Sequence, residues 1–103
     1  MSKKTNQDIK QLRAIGHKLK PVVTIAGNGL TDSVLAELER ALSDHELIKI
    51  KLAVGSREAR EAVATEVCTR TGAEKVQSIG NVLVILRRAA KPDPRLSNLI
   101  RSQ

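Results

Sequence analysis

The sequence contains no phenylalanine, tyrosine or tryptophan among its 103 residues. Proteins that read single-stranded RNA by sequence commonly stack the bases on aromatic side chains, so that mode of recognition is excluded. The core must instead be built from the aliphatic side chains that dominate the 41% of the chain that is apolar. A chain of this length is expected to form one domain.

Cysteine and long apolar runs are also scarce. Cys68 is the only cysteine, which excludes an internal disulfide and a cysteine-cluster metal site. No run approaches the roughly 18 apolar residues of a membrane helix, and no apolar segment follows the charged N-terminus as it does in a secretory signal. These absences predict a cytoplasmic protein that does not associate with membranes.

Positive charge is abundant, with a net charge of +7 and a pI of about 10.1. Residues 1–20 hold six Lys or Arg and one acid, residues 87–103 hold five and one, and residues 21–86 hold seven and nine. The chain therefore has basic ends around a slightly acidic body, which favours an anionic partner. Basic ends can also serve solubility alone.

A glycine-rich turn links the first predicted strand to the second predicted helix. Residues 22–26 are β-branched at four of five positions, which is typical of a strand buried on both faces, and residues 33–42 carry an apolar stripe of helical period. Between them lie Gly27-Asn28-Gly29 and a possible cap at Thr31 and Asp32. Such a turn can direct backbone N–H groups at one phosphate, and it can equally be a tight structural turn.

The remaining helices have recognisable ends. The first is predicted to begin after an N-cap at Thr5 and to end at Gly16. A third helix is predicted from an N-cap at Ser56 to a glycine stop at Gly72. Its predicted buried stripe consists of Ala59, Ala62, Val63 and Val67.

The other strands are indicated by alternation and by a short turn. Alternation over residues 47–52 predicts a strand with Lys49 and Lys51 on its wet face. Residues 75–79 and 82–87 flank Gly80-Asn81 and predict a hairpin. The prolines and basic residues that follow predict a loosely held tail.

The resulting order is αβαβαββ, an α/β fold with a four-stranded mixed sheet. Right-handed crossovers predict largely parallel pairing among the first three strands, with the fourth antiparallel beside the third. We expect one domain over residues 1–88, followed by a basic, flexible tail over residues 89–103.

No catalytic or nucleotide-binding constellation is recognisable. Both histidines lie at predicted element ends, and Cys68 lies beside the buried Val67, so nothing pairs a nucleophile with a base. Leu30 follows the glycines where a P-loop requires lysine. We therefore predict no enzyme, no cofactor, no metal and no small-molecule substrate.

The glycine turn gains meaning from the basic residues around it. Backbone amides with dispersed Lys and Arg match contacts to nucleic-acid phosphates. Without aromatic side chains, folded RNA is a better ligand than a single strand read by sequence. A DNA-binding (nucleoid) protein and a protein-interaction module remain alternatives.

Several motifs, in order, resemble the YhbY family, the stand-alone bacterial form of the CRM (chloroplast RNA splicing and ribosome maturation) domain. They are His17-Lys18-Leu19-Lys20-Pro21-Val22-Val23, Gly27-Asn28-Gly29-Leu30-Thr31, residues 45–51 and residues 77–84. The resemblance implies a fold like the C-terminal domain of the third bacterial translation initiation factor. It also implies binding to ribosomal RNA and association with precursors of the large ribosomal subunit. We expect the protein to be a monomer.

The family's loop has a Gly-x-x-Gly pattern, and its two glycine positions fall on Ala26 and Gly29. Because alanine tolerates a positive φ poorly, either this position needs only a small side chain or the flexible residue has moved to Gly27. The candidate RNA-binding residues are Lys18, Lys20, Ala26, Gly27, Asn28, Gly29, Leu30, Lys49, Lys51, Arg57, Arg87 and Arg88.

Overall fold

Four helices and four strands make up the fold in the computed structural model, which describes residues 6–101. The helices are α1 (Asn6–Lys18), α2 (Asp32–His45), α3 (Arg57–Thr71) and the short α4 (Asn98–Arg101). The strands are β1 (Pro21–Ile25), β2 (Leu47–Leu52), β3 (Glu74–Ile79) and β4 (Val82–Leu86). The predicted αβαβαββ order is confirmed, while the proposed N-cap Thr5 lies outside the described residues.

The strands form one mixed sheet in the order β1-β2-β4-β3. β1 and β2 pair in parallel, and β4 runs antiparallel to both β2 and β3. The expected parallel pairing therefore holds for β1 and β2 only, because β4 lies between β2 and β3. The apolar run of residues 83–86 explains this placement, since a central strand covered on both faces needs apolar side chains on both.

Each face of the sheet buries its own apolar cluster. On the two-helix face, α2 and α3 supply Leu38, Leu42, Ala64 and Val67, which pack with alternate strand residues such as Ile50. On the opposite face, which we call the α1 face, Leu12 of α1 packs with a second set of buried residues. These are Leu47, Val76, Val84, Leu86 and, from α4, Leu99. α1 therefore covers only part of the α1 face of the sheet.

The prediction that β1 is buried on both faces is wrong. β1 is an edge strand, and only Val23 and Ile25 are buried, whereas Val22 is 48% exposed and Thr24 is also exposed. Both exposed residues lie on the α1 face. They are exposed because α1 does not reach this edge of the sheet. A run of β-branched residues alone does not distinguish an edge strand from a central one.

Gly16 does not end α1, which continues to Lys18. The glycine is buried, and a Cβ atom built on it would lie 2.9 Å from Cγ1 of Val84. Gly16 therefore allows α1 to approach β4 closely, a tertiary role that a pattern of local stop signals cannot reveal.

The ends of α3 are confirmed, but its buried face is rotated from the prediction. Ser56 caps the first turn by accepting a hydrogen bond from the Ala59 N–H at 3.1 Å, and Gly72 follows with φ +75°. The buried residues are Ala64, Val67 and Thr71, while Ala62 is exposed and Val63 only partly buried. The Thr71 hydroxyl can be buried because it donates to the Val67 carbonyl at 2.7 Å.

Candidate nucleic-acid interface

Three connections meet at one end of the sheet, which we call the loop end. They are the Gly loop (residues 26–30), the link between β2 and α3, and the Gly80-Asn81 turn. The Ala53 N–H donates to the Ile25 carbonyl at 2.7 Å, and the Leu52 N–H donates to the Asn81 carbonyl at 2.7 Å. The first bond holds the base of the Gly loop against the link, and the second holds the end of β2 against the Gly80-Asn81 turn.

The Gly loop turns at Gly29. Its N–H donates to the Ala26 carbonyl at 2.9 Å, and its φ is +73°. Ala26 and Gly27 are not among the described residues with positive φ. The idea that the flexible position has moved to Gly27 is therefore wrong: Gly29, the second glycine of the family pattern, carries it, and Ala26 needs no special conformation.

The exposed tip of the Gly loop offers backbone donors. Gly27 N–H and Asn28 N–H form no hydrogen bond with any residue that the structure describes. Thr31 acts as the N-cap of α2, as predicted, and its hydroxyl accepts from the Val34 N–H at 3.2 Å. Both donors therefore belong to exposed residues that precede the positive end of the α2 dipole, where an anion is stabilised. The neighbouring Asp32 in the first turn opposes that attraction.

Lys49 and Lys51 lie on the α1 face, as the alternation predicts. Lys51 is exposed and pairs across the sheet with Thr24, towards the loop end. Lys49 is half-buried and its ammonium donates to the His17 carbonyl at 3.2 Å. A groove of about 220 Å³ is lined by Lys49 and by Gly16 and His17 near the end of α1.

The other predicted basic residues are divided between the margin of the α1 face and the loop end. Lys18 and Lys20 are exposed at the connection from α1 into β1, near Pro21, whose register partner is Lys49. Arg57 begins α3 at the loop end, and its side chain is 84% exposed although it forms a 3.4 Å ion pair with Glu61. Surface pairs of this kind contribute little, so the Arg57 guanidinium stays accessible to a ligand.

Arg87 and Arg88 lie elsewhere, at the opposite end of the sheet. The Arg87 side chain is three-quarters buried, and its guanidinium donates to the Glu39 carboxylate at 2.8 Å and to the Thr71 carbonyl at 2.9 Å. It also reaches the Ser43 hydroxyl at 3.2 Å. These bonds join α2 to the end of α3, so Arg87 is placed as a structural residue, while Arg88 beside it is exposed.

This opposite end, which we call the tail end, also receives the C-terminal segment. The sequence predicts a loose tail from residue 89, whereas the structure buries Ser97 completely and Leu99 almost completely. The Ser97 hydroxyl donates to the Glu46 carboxylate at 2.7 Å, which also accepts from the Ala89 N–H at 2.7 Å. The Asn98 amide donates to the Leu47 carbonyl at 2.6 Å. Composition cannot reveal a partner about fifty residues away.

Sequence reasoning missed two basic residues that line the same groove as Arg57. Arg60 follows it by one helical turn on α3, and Lys75 lies on the neighbouring strand β3. Both line a groove between α3 and β3. The i, i+3 spacing of Arg57 and Arg60 was the available signal, since such residues share a helix face.

Within the described part of the chain, no group of three or more His, Cys, Asp or Glu residues is placed to hold a metal ion. The helices described there all lack the length and apolar character needed to span a bilayer. Burial raises the pKa of the Cys68 thiol, and the nearby Lys75 ammonium partly offsets this effect. A raised pKa disfavours the nucleophilic thiolate.

The fold defines a small α/β domain with a glycine loop at one end of a mixed sheet. The solution structure of the Staphylococcus aureus protein SAV1595 has the same fold, with a TM-score of 0.74 and 25% identity over 84% of this chain and 91% of that one. Residues 5–87 match the CRS1/YhbY (CRM) domain, and the chain belongs to this family.

Two relatives carry names that refer to RNA. The probable RNA-binding protein PA4753 of Pseudomonas aeruginosa is 52% identical over 94% of this chain and 93% of its own length. An RNA-binding protein of Haemophilus influenzae is 47% identical over 74% of this chain and 77% of its own length. The family resemblance drawn from the motifs is thus confirmed.

Proposed function

We propose that the protein is a non-catalytic RNA-binding protein that associates with precursors of the large ribosomal subunit. The observation that carries the proposal is the pair of exposed donors, Gly27 N–H and Asn28 N–H, at a loop whose surroundings are basic. The names of the relatives support RNA as the ligand.

The binding surface consists of the Gly loop and the uncovered part of the α1 face. The amides of the loop tip hold one backbone phosphate. Lys51, Lys18 and Lys20 neutralise neighbouring phosphates from the α1 face and its margin, while Arg57 does so from the loop end. Lys49 reaches less far towards a phosphate, because its ammonium already bonds to the His17 carbonyl.

This mode of binding is governed by charge and shape. Each neutralised phosphate releases counterions, so the logarithm of the affinity falls with the logarithm of salt by roughly 0.7 to 0.9 per contact. The surface offers no aromatic platform on which a base could stack, so recognition rests on the backbone geometry of a folded RNA.

The test is a salt titration of affinity for fragments of large-subunit ribosomal RNA. Replacing Lys18, Lys20 and Lys51 by glutamine should reduce the salt slope by roughly 2, since three phosphate contacts are lost. A matched control replaces Arg40, Arg70 and Lys91 by glutamine, which changes the charge equally at exposed positions away from the surface. Equal slopes for the two variants would contradict the proposed surface.

Two further results would redirect the proposal. Equal or tighter binding to duplex DNA in competition would favour a nucleoid protein. Retention in large-subunit precursors after Lys49, Lys51 and Arg57 are all changed to glutamate would favour protein contacts instead. Sedimentation of extracts with and without RNase, together with crosslinking mapped to RNA positions in cells, distinguishes these cases.

A further inference from the structure

A groove of about 590 Å³ runs between α3 and the edge strand β3, on the two-helix face. It therefore lies across the sheet from Lys49 and Lys51. Its walls carry Arg57 and Arg60 from α3 and Lys75 from β3, with Glu61 as the one acidic lining residue. Thr65, Ser78 and Gly80 add two hydroxyls and an open stretch of backbone to the lining.

The cations of the groove are accessible to a ligand. Lys75 is exposed, and its side-chain ammonium forms no ion pair or hydrogen bond with any residue in the described range. Arg60 makes only a long hydrogen bond of 3.5 Å to the Val54 carbonyl. Arg57 is paired at 3.4 Å with Glu61, and both side chains are mostly exposed. Three cations against one carboxylate leave the groove with a surplus of two positive charges.

The register shows that Lys75 and Ser78 face this groove. Lys75 pairs with Ile85 and Ser78 pairs with Leu83, and both partners belong to the core on the two-helix face. Paired residues of a sheet lie on the same side. From Lys75 to Gly80 the strand extends about 16 Å, so the charges are spread along a channel.

The groove is continuous with the loop end of the sheet. Gly80, which lines it, belongs to the turn whose Asn81 carbonyl accepts from the Leu52 N–H. Arg57 is the first residue of α3, directly after the link from β2, so it borders both the loop end and the groove. An extended polyanion bound at the Gly loop can pass over the loop end without leaving the basic surface.

We propose that the α3–β3 groove holds a second stretch of RNA sugar–phosphate backbone. Phosphates lie between Lys75 and Arg60, and the Thr65 and Ser78 hydroxyls donate to phosphate or ribose oxygens. This inference rests on the proposed function, because it extends the same RNA from the α1 face around the loop end to the two-helix face.

The test compares two double variants in the salt titration. Changing Arg60 and Lys75 to glutamine should weaken binding of the large-subunit RNA fragment about tenfold near 0.1 M salt and reduce the salt slope by about 1.5. The control changes Arg40 and Arg70 to glutamine, which alters the charge equally, and should leave the affinity within about twofold.

The outcomes separate this inference from the proposed function. If the groove variant matches the control while the Lys18, Lys20 and Lys51 variant still binds weakly, the groove proposal fails and the proposed function stands. If the unaltered protein shows no salt-dependent affinity for RNA, both fail. Should the double variant not fold, Lys75→Gln alone changes an exposed side chain and should reduce the slope by about 0.7.

A gain-of-affinity variant gives an independent check. Glu61→Gln removes the one carboxylate from the groove and releases Arg57 from its ion pair. RNA affinity should rise about two- to threefold, in keeping with the small strength of exposed pairs. A fall in affinity would overturn the proposal, because it would mean that Glu61 itself contributes to the binding surface.

Discussion

The two ends of the sheet treat polar groups in opposite ways. At the tail end, the Glu46 carboxylate and the Arg87 guanidinium are enclosed and each bonds to several groups of the protein. At the loop end, the Gly27 and Asn28 amides and the Arg57 side chain face solvent. Charge at the tail end therefore maintains the fold, and charge at the loop end is available to a ligand.

Glu46 shows how strongly the tail end is determined. It is 3% exposed and is the only non-glycine residue with positive φ in the described chain, at +64°. Such a conformation is costly for a residue with a Cβ. The hydrogen bonds from Ser97 and Ala89 to its carboxylate offset that cost and fasten the C-terminal segment to the junction of α2 and β2.

The largest effect is expected from Glu46→Ala. The change removes the charged acceptor of two hydrogen bonds and leaves the Ser97 hydroxyl buried and the Ala89 N–H partly buried without it, so the free energy of unfolding should fall by about 3 kcal/mol. Chemical denaturation measures this change. RNA affinity, measured where the variant is folded, should stay the same because the loop end is untouched.

Glu46→Gly is the matched comparison for that prediction. It loses the same carboxylate but relieves the positive φ, so it should be about 1 kcal/mol more stable than Glu46→Ala. Loss of RNA binding in a folded Glu46 variant would mean that the two ends of the sheet are coupled. It would contradict the separation between a structural tail end and a ligand-binding loop end.

Neighbouring arginines offer the second comparison. Arg87→Gln removes the bonds to Glu39 and to the Thr71 carbonyl, so the free energy of unfolding should fall by about 2 kcal/mol. The salt slope of RNA binding should not change. Arg88→Gln has the same change in charge at an exposed side chain, and stability should stay within about 0.5 kcal/mol. Thermal and denaturant unfolding of both variants checks the contrast.

The third comparison lies within the Gly loop. Gly29→Ala places a Cβ at φ +73°, which should lower the free energy of unfolding by about 1 kcal/mol and weaken RNA binding by displacing the tip amides. Gly27→Ala introduces no such strain, and a Cβ there meets no atom within 4 Å. It should therefore be nearly neutral for stability. If the two variants lost the same stability, the assignment of the flexible position to Gly29 would be wrong.

Local sequence signals predicted the elements better than their arrangement. The caps at Thr31 and Ser56, the stop at Gly72 and the hairpin at Gly80-Asn81 were all readable, because each depends on a few neighbouring residues. The close packing of Gly16 on Val84 was not, because it depends on a residue far along the chain.

The same limit applies to the candidate site. Alternation predicted correctly that Lys49 and Lys51 share one face of β2, since period-two patterns define strand faces. Arg87 was grouped with them on charge alone, although its contacts lie with Glu39 and Thr71. Whether a cation is enclosed or available follows from tertiary contacts, which composition does not encode.

The smallest effect is expected at Cys68, whose pKa depends on the Lys75 ammonium of the groove. Because burial raises the pKa of the thiol, alkylation by iodoacetamide near pH 8 should be severalfold slower in the folded protein than in the unfolded chain. The Lys75 ammonium counters burial and lowers the pKa of Cys68. Lys75→Gln should therefore slow the reaction further. Any other change that removes or neutralises the Lys75 charge should have the same effect.

The raised pKa of Cys68 also makes the stability of the fold depend on pH. A thiol whose pKa is higher in the folded state keeps its proton after the unfolded chain has lost it, so its contribution to stability is complete below the usual thiol pKa and declines as the pH rises above it. Cys68→Ser should remove that decline.

Bound RNA should also slow the alkylation of Cys68, because phosphates in the groove would neutralise the Lys75 ammonium. Unchanged alkylation at saturating RNA would mean that the groove holds no RNA and that binding is confined to the Gly loop and the α1 face.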